Sequence, residues 1–336
     1  FEIPWRPLKI GLKSLPTPFP GKPFMIPAAS LFEPMPLQGI GVRLRAARFE
    51  ADPSTPYRGV CILLNGQTEF MEKYFEVIDE LRGRGFAVAT MDWRGQGGSS
   101  RLLADDSRKS FIGDFREYEE DLDTLMDWIV TPMLKGHGKP VALAHSMGGH
   151  NLLRYLLRRP GAIARGVLCA PMIAISLRGQ REFLVRAVTW FETWRGNAKG
   201  WVWGMEARDP HLVTFASQMV TSDTQRFERN QVLLRNNPDL RLAGATWGWL
   251  AAALRSMDML RGRAADISTP LLVVGAGKDR VCLTPAAREF AGRLPHGAYI
   301  EIAEAEHEIL MERNPIRARF WDAFDAFMQK AAAPRE

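Results

Sequence analysis

Short apolar runs, each ending in small or polar residues, recur through this chain with helix-patterned stretches between them. They read GVCILLN, FAVATMD, VALAHS, GVLCAP and, after a long gap, PLLVVGAGKD. None alternates apolar with polar residues, so each must be covered on both sides. That is the mark of strands in a parallel sheet with helices on its two faces. The intervening YFEVIDELRGRG has helical spacing and stops on glycine, and GGHNLLRYLLRRP stops on proline. DFREYEEDLDTLMDWIV places Phe115, Leu122, Leu125, Met126 and Ile129 near one helical face, with its acids expected on the other. GVRLRAARFE alternates like a half-exposed strand. AYIEIAEA and a helix from Pro315 to Lys330 close the pattern. The expected fold is therefore α/β, with a mostly parallel central sheet.

Two stretches break the rhythm. Residues 1–38 are proline-rich, as in PTPFPGKPFMIP and FEPMPLQG, and cannot be helical. Their phenylalanines, methionines and leucines are too many for a solvated tail, so an extended arm packed along the main domain is expected. Residues 172–262 lack buried strands and carry amphipathic patterns such as REFLVRAVTWFETW. Six of the ten tryptophans lie there: Trp190, Trp194, Trp201, Trp203, Trp247 and Trp249. Because the sheet pattern resumes afterwards, this segment reads as a helical cap inserted into a core of residues 39–171 and 263–336.

Composition narrows the function. No apolar run reaches the roughly 18 residues of a membrane-spanning helix. Residues 1–38 show no charged segment followed by an apolar one of the secretory type. Cys61, Cys169 and Cys282 are isolated, without C-x-x-C spacing, which suits reduced thiols and a cytoplasmic setting. The net charge of +6 comes mostly from arginine, but the basic residues are scattered among acids. Nucleic-acid binding is not expected. Attraction to an anionic membrane surface remains an option. No cluster of metal-ligating residues is apparent, and neither a metal nor a cofactor is expected.

The chemistry concentrates where VALAHS meets a helix. A serine between strand and helix sits on a sharp, strained turn that lifts its Oγ above the sheet edge, and the residues two places away must be small. Ala144 and Gly148 meet that need, making Ser146 a candidate nucleophile rather than a capping serine. The following helix would aim its N-terminal amides at the attacked carbonyl. Of six histidines, His137, His211 and His296 read as loop residues, while His145 and His150 read as packing or hydrogen-bonding to the turn. His307 follows a strand and would stand above the carboxyl edge of the sheet, where reactive groups gather. It is the candidate base. Asp279 ends PLLVVGAGKD at the same edge and is the candidate acid, ahead of Glu304, Glu306 and Asp266. Its competing reading is a turn-capping aspartate. Backbone amides of Met147 and of Gln67, in CILLNGQTEF, are the expected oxyanion donors.

LLNGQTEFMEKY, MDWRGQGGSS, LAHSMGGH, GAGKDRVC and AEHEILME together resemble the α/β-hydrolase superfamily over roughly residues 38–330. More narrowly they are similar to its lysophospholipase L2 and monoacylglycerol lipase group, often labelled serine aminopeptidase. The resemblance implies the order Ser146, Asp279, His307 for a triad, and a loop-shaping role for Asp92, Arg94, Gly95, Gly97 and Ser99. Two positions depart from it: Asn65, where many relatives carry His, and Ala144, where glycine is usual. The implied activity is cofactor-free hydrolysis of lipid-like esters, lysophospholipid or monoacylglycerol. A small-ester carboxylesterase, an aminopeptidase-like amidase and a non-catalytic ligand-binding protein stay open. Oligomeric state is not legible.

Overall fold

The computed structural model describes residues 31–36, 41–206 and 209–329. The strands are β1 (Leu31–Pro36), β2 (Arg43–Phe49), β3 (Gly59–Leu64), β4 (Phe86–Met91), β5 (Lys109–Ser110), β6 (Val141–His145), β7 (Gly166–Cys169), β8 (Gly244–Ala245), β9 (Leu271–Ala276) and β10 (Gly297–Ile302). The helices are α1 (Phe75–Arg82), α2 (Arg116–Leu125), α3 (Thr131–Leu134), α4 (Met147–Arg158), α5 (Glu182–Trp194), α6 (Thr224–Asn236), α7 (Trp247–Arg261), α8 (Thr284–Gly292) and α9 (Asn314–Gln329). Eight strands form one sheet in the order β1-β2-β4-β3-β6-β7-β9-β10, while β5 and β8 make a separate parallel pair. Strand β2 is antiparallel to both neighbours, and every other pairing in the large sheet is parallel.

The period of two along each strand divides the core. In β3, Val60, Ile62 and Leu64 enter one apolar cluster, and Cys61 and Leu63 the other. The first cluster is roofed by α2, α4, α7 and α8 through Leu122, Leu153, Leu254 and Phe290. The second is closed by α1 and α9 through Val77, Ile78, Phe320 and Phe324. This explains why β3, β4, β6, β7 and β9 read as unbroken apolar runs. All three cysteines are free thiols inside these layers or next to them.

Two expectations needed correction. Strand β2 is not half-exposed: Arg45 is buried and donates to Asp92 Oδ2 at 2.7 Å and to Glu72 Oε2 at 2.8 Å. A charged side chain can sit inside such a strand because two carboxylates meet it there. Nor are the acids of α2 all on its outer face. Asp121 is fully buried and accepts from the Arg94 backbone at 3.0 Å and from its Nε at 2.7 Å. Burial still lifts the Asp121 carboxyl to about 7 despite that guanidinium. The described part of the proline-rich arm is extended and lies along the main domain as expected: β1 pairs with β2 at the sheet edge, where proline is tolerated in a strand. The rest of the arm lies outside the described residues.

Between β7 and β9 the described chain adds no strand to the large sheet. Its helices differ in depth. Trp247, Trp249, Leu254 and Met257 of α7 join the sheet's own apolar cluster, whereas Trp190 and Trp194 of α5 are exposed. Among the described residues, no helix is long and apolar enough to cross a membrane, and no group of His, Cys, Asp or Glu is arranged to hold a metal ion.

Candidate active site

Strand β6 delivers Ser146 with φ 50° and ψ −117°, a conformation that non-glycine residues adopt only under strain. The strain is held by neighbours on three sides. The Ser146 N–H donates to Cys169 O at 3.0 Å, and its carbonyl accepts from Met172 N at 3.0 Å and His150 N at 3.2 Å. The small residue after the turn is a packing necessity. A Cβ on Gly148 would lie 2.5 Å from Asn65 O and 2.6 Å from Leu64 O.

The structure brings the three widely separated candidates together. His307 Nε2 is 3.0 Å from Ser146 Oγ, and His307 Nδ1 is 2.7 Å from Asp279 Oδ2. The carboxylate on Nδ1 selects the tautomer with its proton there, leaving the Nε2 lone pair for the serine hydroxyl. Asp279 also fulfils its competing reading. Its Oδ1 accepts from the N–H groups of Val281 and Cys282, both at 2.8 Å, so one oxygen shapes the turn while the other meets the imidazole. The weaker acid candidates lie elsewhere: Glu304 pairs with Arg319, Glu306 with Arg280 and Asp266 with Arg263.

Met147 is the first residue of α4, and its N–H belongs to the unpaired first turn of that helix. Neither the Met147 nor the Gln67 amide donates to another group among the described residues. The loop carrying Gln67 is held from beneath. Gln96 Nε2 donates to Gly66 O at 2.7 Å and to Glu69 O at 3.2 Å, and Trp93 Nε1 donates to Asn65 O at 2.9 Å. The Gln67 side chain reaches Ser110 Oγ at 3.3 Å.

The loop expected from MDWRGQGGSS is built around Asp92, which accepts from Met71 N at 2.9 Å, Gly98 N at 2.8 Å and Arg45 Nε at 2.7 Å. Gly97 has φ 55°, and a side chain there would strike the Asp92 carboxylate. Ser99 Oγ donates to Asp92 O at 2.6 Å. Two of the other histidines are occupied. His150 is fully buried between Met172 O at 2.8 Å and Ser256 Oγ at 2.6 Å, and burial drives its pKa down to about 3. His137 packs edge-on against Tyr57. Sequence reasoning missed the acids and bases behind the serine: Glu69, Lys73, Tyr74 and Glu308, all gathered near His145. The i,i+4 spacing of Glu69 and Lys73 was the one visible signal. It also missed Cys282, a buried cysteine whose backbone N–H is held by Asp279 and whose thiol pKa is kept well above its usual value by burial and the Asp279 charge.

Residues 55–314 match the family described as Serine aminopeptidase, S33. The chain is a member of that family. It is 30% identical to Lysophospholipase L2 of Escherichia coli (strain K12) over 301 residues, covering 87% of this chain and 86% of that protein. It is 31% identical over 244 residues to Monoacylglycerol lipase of Mycolicibacterium smegmatis, covering 72% of this chain and 78% of that one. In fold it resembles a soluble variant of the Saccharomyces cerevisiae monoglyceride lipase, with a TM-score of 0.70 at 15% identity over 94% of this chain and 98% of that one. The Paleococcus ferrophilus monoacylglycerol lipase gives 0.63 at 21% identity over 85% of this chain and 98% of that one. As a member of the S33 family, the protein is an α/β-hydrolase.

Proposed function

We propose that this protein hydrolyses carboxylic esters of lipid-like substrates, monoacylglycerol or lysophospholipid, through an acyl-enzyme on Ser146. The observation that carries this is the run of contacts from Ser146 Oγ through His307 to Asp279, at 3.0 and 2.7 Å. Ser146 Oγ attacks the ester carbonyl while His307 Nε2 takes its proton. The amides of Gln67 and Met147 receive the oxyanion, and one such donor is worth about 10²-fold or more in rate. His307 then protonates the departing alcohol, leaving the acyl group on Oγ. Water attacks that ester with His307 again as base, the acyl–Oγ bond breaks as His307 returns the proton to Ser146 Oγ, and the fatty acid leaves. Asp279 stays ionised throughout, stabilising the imidazolium.

Residues 172–262 act as the cap in this reading. A cavity of about 330 Å³, lined by Ile175, Leu177, Leu254, Met257 and Leu283 together with Arg178, Glu182, Arg186 and Arg261, adjoins the bridge between Ile175 and Cys282. Exposed Phe183, Trp190, Phe191 and Trp194 on α5, with Arg181 and Arg195 at its ends, favour contact with an anionic membrane surface that presents the substrate. An aminopeptidase-like role is less favoured, because four acids within 172–262 that could bind a substrate ammonium are already paired, exposed Glu206 being an exception. Glu182 meets Arg186, Glu192 meets Arg195, Asp209 meets His211 and Asp223 meets Arg226.

A fluorophosphonate probe is expected to label the wild type and not Ser146→Ala. Turnover of monoolein or lysophosphatidylcholine should fall by about 10⁴-fold or more in that variant. Absence of labelling in the wild type removes the mechanism, and activity that peaks on acetate esters removes the lipid substrate.

A further inference from the structure

We propose that His145 is a buried imidazolium that clamps the oxyanion loop, the nucleophile turn and the His307 loop together, making it a positioning residue for the reaction proposed above. What faces its two ring nitrogens decides its protonation. Nε2 is 3.2 Å from His307 O, a backbone carbonyl that can only accept. Nε2 must therefore carry a proton. Nδ1 lies 3.0 Å from Glu69 Oε2 and 3.1 Å from Tyr74 Oη. The Tyr74 hydroxyl is 2.6 Å from the same Glu69 oxygen, so its hydrogen goes to the carboxylate. Both oxygens then turn lone pairs toward Nδ1, which must also be protonated. A ring with a proton on each nitrogen is a cation.

The surrounding charges agree. Lys73 Nζ lies 2.8 Å from Glu69 Oε1 and 2.6 Å from Glu308 Oε1. With His145 charged, two cations face two anions. With it neutral, a buried negative charge would remain unbalanced. Glu69 holds the His145 pKa above its ordinary value in spite of burial, and Lys73 and His145 hold the Glu69 carboxyl well below its own. Burial and Glu69 keep Tyr74 a neutral phenol. The remaining titratable neighbours are Cys169 on β7, which feels the Glu69 charge, and the His307 ring, 4.9 Å away centre to centre.

The clamp joins the parts that must be in register. Glu69 Oε2 also accepts from the Gly66 N–H at 2.5 Å, one residue before the Gln67 amide. His145 itself immediately precedes Ser146. Its Nε2 proton anchors the backbone of His307. A raised pKa on a cationic acid means the bonds are complete below 6.5 and lost as pH rises through the shifted value, so turnover should fall on the alkaline side.

The test is ¹⁵N imidazole NMR on the whole chain over a pH series. His145 is assigned by the signal missing from His145→Gln, and fluorophosphonate labelling is run in parallel. The expected result is one buried ring with both nitrogens protonated at neutral pH, becoming neutral there in Glu69→Gln. Glu69→Gln should also lose kcat by about 10²-fold, with KM changed by less than about threefold. Wild-type kcat in a Glu69→Gln protein whose His145 is neutral overturns the positioning role. If neither variant folds, the wild-type series still decides. The chain has six histidines, and the absence of any doubly protonated ring at neutral pH overturns the clamp. Failure of the wild type to label would instead remove the proposed reaction, leaving the protonation result standing by itself.

Discussion

Helices α5 and α7 are neighbours in the segment between β7 and β9, and both are rich in tryptophan, yet they meet opposite fates. Trp247 and Trp249 of α7 are 3% exposed and packed with the sheet, while Trp190 and Trp194 of α5 are 65% and 70% exposed. Ser256 of α7 accepts from Arg154 at 2.9 Å and also meets His150, so polar contacts reinforce the apolar ones. Helix α5 is fastened mainly to α7, through Arg186 to Asp258 and through half-buried Val185 and Val188. A third helix, α6, is held in another way. Its Arg226 and Arg229 converge with Arg317 of α9 on Glu76 of α1. The three helices thus depend on apolar burial, on buried charge and on very little. A tryptophan count says nothing about which is which.

These contrasts set the expected sizes of effect. Truncating Trp249 to Ala should cost about 3–5 kcal/mol in urea unfolding, because a large buried ring leaves a cavity. A loss below about 1 kcal/mol would place α7 in the same class as α5. Next comes α6. Its arginines hold the Glu76 carboxyl down at about 2 from 4.5. A depressed carboxyl stabilises the fold above its unfolded pKa and loses that contribution as pH falls through the folded one. Glu76→Gln should therefore cost on the order of 3 kcal/mol at neutral pH, with the difference from wild type vanishing between roughly pH 5 and pH 1. A difference that does not change with pH would mean α6 is held by its apolar residues instead. The smallest effect on stability belongs to α5. Trp190→Ser with Trp194→Ser should shift unfolding by no more than about 0.5 kcal/mol. The same pair should weaken co-sedimentation with anionic phospholipid vesicles and slow hydrolysis of vesicle-borne lipid, while a soluble short-chain ester is turned over as before. Equal loss on both substrates would make α5 part of the catalytic framework and erase the contrast.

The sites differed in how much the sequence disclosed. Ser146, Asp279 and His307 could be singled out as candidates that meet in space because each follows an apolar strand, and the ends of parallel strands share one edge. The turn chemistry around Gly148 was equally local. Arg45, Asp121 and Glu69 were not legible in the same way. Arg45 sits in an apparently alternating strand, and Asp121 in a run of acids that pattern alone assigns to solvent. Each is buried because opposite charge meets it inside: Glu72 and Asp92 for Arg45 and Arg94 for Asp121, all distant in the chain, and nearby Lys73 with distant His145 for Glu69. His145 shows the limit most clearly. As one letter in AHSMGG it reads as a turn neighbour, and its charge follows from Glu69, 76 residues earlier, and a carbonyl 162 residues later.

By itself, the sequence determined the alternation of strands and helices, the strained serine and the edge at which its partners would stand. Those features depend on periodicity and turn chemistry, which act over a few residues. The tertiary structure decided which charges go inside, which tryptophans face water and how the oxyanion loop is tied to the base. A buried charge or an uncovered ring is settled by whatever the fold brings against it, and those partners lie far away along the chain.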